Sequence, residues 1–249
     1  DTTPPVVTAP ADILVEAENT SVTTANDAAI TAFLAGSSAV DAIDDTNLSF
    51  AHNAPATFPL GATLVTFTYT DTAGNAGSAT ATVTIIDTTA PVVTAPDNIT
   101  VEAPGVTDIA SFLTGSSSTD AVDPAPTVSD NAPTTFPLGD TVVIFTHTDG
   151  SGNAGTATAT VSVIDTISPV VTAPADTIVE APSGAALTTF LAGSTVVDAG
   201  DPIPAFSHNA PVPLPLGATL ITFTYTDASG NVGFDTATVT GIDTTAPVV

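Results

Sequence analysis

The chain has neither lysine nor arginine, against 26 acidic residues in 249 positions, which sets its formal net charge at −26. Within it, a carboxylate can pair only with a protonated histidine or the N-terminus. Nothing here can neutralise phosphate, so nucleic acid and direct contact with an anionic membrane are excluded as partners. Inorganic cations are left as counter-charge, with a merely solvated acidic surface as the plainer alternative. Without lysine no isopeptide bond can form within the chain, and trypsin-like proteases find no site. Cysteine is also absent, which excludes disulfides and a thiol nucleophile. There is no tryptophan and there are only two tyrosines, so stacking platforms for sugars are scarce. No apolar run reaches transmembrane length and no leader segment is visible. The chain is nevertheless 43% hydrophobic with mean hydropathy +0.40, the opposite of a disordered composition.

What is present is repetition. Asp87-Thr88-Thr89-Ala90-Pro91-Val92-Val93 returns unchanged at Asp243–Val249, with near copies starting at Asp1 and Asp165. The spacings are 86, 78 and 78 residues. Three tandem modules are therefore expected, at 1–86, 87–164 and 165–242, with 243–249 opening a fourth. The register holds at Glu16, Glu102 and Glu180, at Phe33, Phe112 and Phe190, and at the turn sequence Asp-x-x-Gly-Asn starting at Asp71, Asp149 and Asp227. The first copy is longer by seven residues between Glu16 and Phe33, and by one near Asp45. Because the chain starts and stops on the repeat phrase, a segment of a longer array is expected. Self-repetition of this kind builds length or multiplicity rather than one reaction centre. Each module, of about 80 residues, buries only roughly 60–65% of its unfolded surface. Such small domains often rely on metal or on neighbours.

The clearest local signal is Thr63–Thr70, where Val65, Phe67 and Tyr69 alternate with threonines. Period-2 alternation in β-favouring residues predicts a strand, paired across a hairpin loop at Asp71–Gly77 with Thr80–Ile85. Glycine and asparagine are expected to supply the positive-φ positions of that loop. The pair recurs at Val143–Thr148 with Thr158–Val163, and at Ile221–Thr226 with Thr236–Val239. Shorter strands fit Val6–Thr8, Ile13–Glu16 and the stretches around Leu48–Phe50, Val128 and Phe206. Phe33–Gly36 is compatible with a strand or a helical turn. Several short strands per 80 residues predict an all-β chain of three tandem immunoglobulin-like β-sandwich modules in an elongated rod.

The run Phe58-Pro59-Leu60-Gly61-x-x-x-Val65-x-Phe67-x-Tyr69-x-Asp71-x-x-Gly74-Asn75, followed by Thr82-Val83-Thr84-Ile85-x-Asp87-Thr88-Thr89-Ala90-Pro91, resembles the hyalin-repeat (HYR) module and related bacterial immunoglobulin-like modules. The resemblance extends over all three copies. It implies an extracellular, immunoglobulin-like module used in arrays, and does not imply a catalytic activity. The sequence lacks the Cys pair and core Trp of the animal form.

In a sandwich of this kind, the loops and linker bring acidic residues to the module junctions. One junction should gather Glu16, Asp87, Asp120, Asp123, Asp149 and Asn153, the next Glu102, Asp165, Asp198, Asp201, Asp227 and Asn231. Partial sets remain at Asp1, Asp41, Asp44, Asp71 and Asn75, and at Glu180 and Asp243. Six oxygen-bearing side chains suit Ca²⁺, with affinity near the ~0.1–1 mM of extracellular modules; zinc would require His or Cys. Placing metal at module junctions resembles the logic of cadherins. The alternative is turn chemistry alone, since Asp-x-x-Gly-Asn turns well without metal. His52 and His208 share a register, but the second copy has Asp130 there and His147 replaces the strand tyrosine, and no nucleophile-base-acid spacing or phosphate-binding loop is present.

The expected function is thus a calcium-stiffened structural segment of an extracellular or cell-surface filament, fibril or adhesin stalk. It would associate end-to-end, and side-by-side through its nearly uncharged Thr/Ala strand faces. The alternative is a spacer or binding array of a secreted adhesin or polysaccharide-acting enzyme, with contacts made by the first-copy insertion Glu18–Ile30.

Overall fold

The computed structural model describes residues 1–19, 23–24, 27–43, 46–103, 109–180 and 184–246. The chain packs into two compact units. One is Asp1–Ala95 with Gly115–Asn131 and Ile144–Thr158; the other is Pro96–Thr114 with Ala132–Val143 and Ala159–Val249. The division runs through the middle repeat.

The first repeat contains β1 (Val6–Thr8), β2 (Ile13–Glu16), β3 (Thr23–Thr24), α1 (Ala28–Leu34), β4 (Ser38–Val40), β5 (Ser49–His52), β6 (Thr57–Phe58), β7 (Gly61–Thr70) and β8 (Ala76–Ile86). Its main sheet has the order β2-β8-β7-β5, opposed by the two-stranded sheets β1-β4 and β3-β6. The alternation does what the sequence demands. Val65, Phe67 and Val83 are fully buried and Ile85 nearly so, while Thr66, Thr68, Thr82 and Thr84 lie on the other face. Fully burying each such apolar side chain contributes roughly 1.5–3 kcal/mol, which must outweigh the entropy of ordering a thin module.

The stretch around Phe33 is a helix, and it begins at Ala28. Asp27 caps it, its Oδ1 accepting from the N–H groups of Ala29 (2.8 Å) and Ile30 (3.1 Å). Ile30 and Phe33, three apart on one helix face, enter the core, where Phe33 meets Phe67 edge-on at 5.5 Å. Ile30 therefore belongs to the common fold, at the register of Ile109 and Leu187, rather than to a free insertion. The pairing of β3 with β6 likewise fastens part of the extra segment to this repeat. Its remaining residues Thr20–Val22, Ala25 and Asn26 lie outside the described residues.

The hairpin turn is tighter than the sequence suggests, spanning Asp71 to Asn75 between β7 and β8. Only glycine takes the left-handed conformation here (Gly74, φ 90°); no described non-glycine residue does, so Asn75 is not a positive-φ position. Gly77 lies within β8, where its missing Cβ lets the Pro5 carbonyl pass; any side-chain carbon there would overlap that oxygen. Gly155 and Gly233 meet Pro91 and Pro169 in the same way.

The middle repeat contains β9 (Val92–Thr94), β10 (Ile99–Glu102), α2 (Ile109–Leu113), β11 (Ser117–Thr119), β12 (Thr127–Asp130), β13 (Gly139–Thr148) and β14 (Ala154–Ile164). Its sheet orders are β10-β14-β13-β12 and β11-β9. The third contains β15 (Val170–Thr172), β16 (Thr177–Glu180), α3 (Gly184–Leu191), β17 (Thr195–Val197), β18 (Ala205–His208), β19 (Gly217–Thr226) and β20 (Val232–Ile242), ordered β16-β20-β19-β18 and β15-β17. The β3–β6 pair has no described counterpart there, and Pro213, at the register of Thr57, has no N–H to offer a neighbouring strand. The fold is all-β apart from one short helix per repeat, in tandem immunoglobulin-like sandwiches as expected. One pairing that local pattern does not announce is parallel: β2 on β8, β10 on β14 and β16 on β20.

The close approach at glycine gives a test. Gly155→Ala should destabilise the protein by roughly 1–3 kcal/mol through overlap with the Pro91 carbonyl, read as a lower midpoint in urea. Ala154→Ser, exposed at the neighbouring position, should leave the midpoint unchanged.

Candidate metal centre

The turn beginning at Asp149 is a closed hydrogen-bonded ring. Asp149 Oδ1 accepts from the N–H groups of Ser151 (2.9 Å) and Asn153 (2.8 Å), and its Oδ2 accepts from Asn153 Nδ2 (2.8 Å). The same Nδ2 donates to the Asp87 carbonyl (3.1 Å), so Asn153 fastens the linker to the turn. Asn75 and Asn231 do the same with the carbonyls of Asp1 (3.3 Å) and Asp165 (3.0 Å). These asparagines, expected as ligands, thus act as clips between turn and linker.

The other expected residues fall around this clip. Asp123 Oδ2 accepts from Gly150 N–H (2.8 Å), joining its loop to the turn, and Asp201 Oδ2 accepts from Ala228 N–H (2.9 Å) in the third repeat. Asp120 Oδ1 accepts from the N–H groups of Val122 (2.7 Å) and Asp123 (2.8 Å), and Asp198 Oδ1 from those of Gly200 and Asp201, both 2.7 Å. Asp87 Oδ1 accepts from Thr89 N–H (3.1 Å) and Asp165 Oδ1 from Ile167 N–H (3.1 Å). In each of these four aspartates, Asp87, Asp120, Asp165 and Asp198, the second oxygen is buried and has no hydrogen-bond partner. Asp87 and Asp165 are each only 8% exposed. A buried acceptor without a donor is costly, more so for a carboxylate. In the first repeat Asp1, Asp41 and Asp71 bring one oxygen each within 4.8 Å of the others. Among the described residues this is the one group of three or more His, Cys, Asp or Glu that converges so closely. Asp44 lies outside the described residues.

Glu16 takes its donors from the linker. It holds the linker: Thr88 N–H (2.7 Å) and Thr89 Oγ1 (3.2 Å) donate to Oε1, and Thr88 Oγ1 (3.0 Å) donates to Oε2. Glu102 holds Thr166 through its N–H (2.5 Å) and hydroxyl (3.1 Å). Glu180 holds Thr244 and Thr245, while Asp243 Oδ1 accepts from Thr245 N–H (3.0 Å). The sequence reading missed the threonines, whose only signal was their recurrence directly after each linker aspartate.

The electrostatics follow from these donors. The Thr88 N–H, against a smaller opposing effect of burial and with help from the Thr88 and Thr89 hydroxyls, holds the Glu16 carboxyl below its ordinary range; Thr244 and Thr245 do this for Glu180. Burial pushes Asp71, Asp149 and Asp227 up, but the side-chain and backbone donors of Asn75, Asn153 and Asn231, with the turn N–H groups, together bring each of them down.

A cation fits this donor set on two counts: partnerless buried carboxylate oxygens, and ligands that are all oxygen. The latter is the chemistry of Ca²⁺ or Mg²⁺ rather than of zinc. The histidines lie elsewhere. His147 is buried between Ser118 Oγ (2.8 Å, Nδ1) and Ser116 Oγ (2.9 Å, Nε2), replacing the hydroxyl of Tyr69, which reaches Ser37. His52 and His208 accept from the N–H groups of Ala54 and Ala210 through Nδ1. An apolar groove of about 300 Å³ beside α3 is lined by Gly184, Leu187, Thr188, Leu191, Val212, Pro213 and Leu214, with no ionisable group among them.

The sequence matches the family described as "HYR domain" over residues 1–85 and again over 86–163. This chain belongs to the HYR domain family. Two curated relatives of this HYR chain are both named Hyalin. That of Strongylocentrotus purpuratus is 36% identical, aligned with all of this chain and 22% of its own length; that of Lytechinus variegatus is 32% identical, with all of this chain and 49% of its own. The chain therefore spans about a fifth and about half of these relatives. Among solved structures, "Sidekick-1 immunoglobulin domains 1-5" is similar over 98% of this chain and 60% of its own, at 13% identity and a TM-score of 0.37. No helix among the described residues is long and apolar enough to cross a membrane.

Because these carboxyls titrate low in the folded HYR repeats, their contribution to stability is complete above the ordinary carboxylate range. It is lost as pH falls through the lowered values. The melting temperature should therefore hold between neutral pH and about pH 5, then drop steeply in more acid solution. Asn153→Ala, which removes the clip on Asp87 and Asp149, should lower the neutral-pH melting temperature by several degrees and flatten the acid drop, as calorimetry across pH would show.

Proposed function

We propose that this chain is a structural segment of an extracellular or cell-surface array: three HYR modules, at 1–86, 87–164 and 165–242, whose junctions bind Ca²⁺ and are stiffened by it. The modules serve as the shaft of a filament, fibril or adhesin stalk that associates with identical chains end-to-end and along its nearly uncharged strand faces. It performs no catalysis. The observation that carries this reading is the buried, donorless oxygen of Asp87, Asp120, Asp165 and Asp198, in a chain with no lysine or arginine to meet it. Asp87 with Asp120, Asp123 and Asp149, and Asp165 with Asp198, Asp201 and Asp227, are the residues that would hold the ion. When bound, Ca²⁺ supplies positive charge and six to eight coordination positions that span linker and loops. The membership of the family, matched twice along this chain, supports an array role. The apolar groove offers nothing to an enzymatic reading, because no acid or base lines it.

The binding-array alternative draws on the first-copy insertion. The burial of Ile30 and the β3–β6 pairing count against that segment being a free ligand loop.

Small-angle scattering of the whole chain, titrated with Ca²⁺ and then chelator, tests the proposal. The maximum dimension should stay constant with Ca²⁺, and the profile should shift to that of a flexibly jointed chain on chelation. A profile indifferent to both would leave the aspartates as turn formers only.

A further inference from the structure

Thr89 faces two repeats at once. Its hydroxyl donates to Glu16 of the first repeat, and its N–H donates to Asp87 Oδ1. The other carboxylate oxygen of Asp87 is buried without a partner, and the Asp87 carbonyl accepts from Asn153, which is bonded to Asp149. A continuous run of hydrogen bonds therefore leads from Glu16 through Thr88 and Thr89 to the acidic group of the second repeat. Glu102, Thr166, Ile167 and Asp165 make the corresponding connection into the third repeat, with one link covalent, from Thr166 to Ile167. There the N–H of Ile167 holds Asp165, but its side chain has no hydroxyl, leaving Thr166 to make the bonds to Glu102.

We infer that Glu16 and Glu102 are positioning residues that set the cation affinity of the repeat after their own, without touching the ion. This rests on the cation reading above and goes beyond it, because it makes each site depend on the preceding module. The physical reason is pre-organisation. A cation can use the free oxygen of Asp87 only if the linker is already placed, and a linker released from Glu16 would have to be ordered at the expense of binding. Linkage makes the effect reciprocal: the cation must tighten the hold of Glu16 on the threonines by the same factor. Glu180 supplies an internal control. It makes the same bonds to Thr244 and Thr245, but none of the three acidic groups in this chain follows it.

The test is a Ca²⁺ titration of the whole chain by NMR, following the backbone amides of Gly74, Gly152 and Gly230. Each lies in the turn of one repeat, so the three sites are read separately. In Glu16→Ala the response at Gly152 should move to about tenfold higher Ca²⁺, with Gly74 and Gly230 unchanged. Glu102→Ala should do the same at Gly230 alone, and Glu180→Ala should shift none of the three. Thr89→Val, which removes the hydroxyl and keeps the N–H to Asp87, should move Gly152 in the same direction by less, and decides the matter if Glu16→Ala does not fold. An unshifted Gly152 in folded Glu16→Ala, or equal weakening of all sites in Glu180→Ala, overturns the inference while leaving the sites themselves standing. A wild-type chain whose turn glycines ignore Ca²⁺ overturns the cation reading, and this inference with it.

Discussion

Every carboxylate in this chain must be held without a cationic side chain, and the structure is organised around that constraint. Backbone N–H groups and threonine hydroxyls take the place of lysine and arginine. Asp149 collects donors from its own turn, Asp120 from the two residues that follow it closely, and Glu16 from the linker. Such donors are short and directional, so each acid also fixes the backbone that serves it. The same constraint explains what is left over. Amide donors reach one oxygen of Asp87 or Asp120 but not both, and the second oxygen stays buried. A protein with ordinary numbers of basic residues would place an ammonium or guanidinium there.

The three copies differ in ways that read as natural substitutions on one scaffold. A tyrosine hydroxyl and a histidine imidazole both satisfy the serine that follows each helix, since Tyr69 and Tyr225 meet Ser37 and Ser194 where His147 meets Ser116. The exchange keeps a ring in the core and moves only the polar handle. Proline at 213 closes the edge that threonine at 57 offers to a strand. Asp235, at a register where the other copies have alanine, accepts from Ala173 N–H and fastens β15 to β20 in the third repeat alone.

The long hairpins were legible because alternation of Val, Phe and Thr reports burial residue by residue, as at Val65–Thr70. The first short strands were legible for the same reason, since Val6–Thr8 and Ile13–Glu16 lie where the pattern put them. The helix was not, because a helix of five to eight residues shows one apolar face for too short a run to separate 3.6 from 2. Nor was the parallel pairing of β2 with β8, which depends on a crossover rather than on anything local. At the candidate site, the recurring aspartates were visible in the sequence as a repeated set. The role of Glu16 was hidden, because a carboxylate among carboxylates looks like a ligand until its donors are seen. Threonines beside strands look like β-formers rather than donors.

Glu180 reaches past the last strand to hold residues two and three positions beyond Ile242. The cooperative unit and the sequence repeat are therefore out of phase. A repeat cut at its last strand leaves its glutamate without donors and hands the next repeat a loose leader. A cut made after the linker threonines carries both sides of the bond. For recombination, natural or engineered, the clean seam lies inside the recurring phrase and not in front of it. A library of chimaeras spliced at that seam would inherit intact connectors, whatever order its modules took.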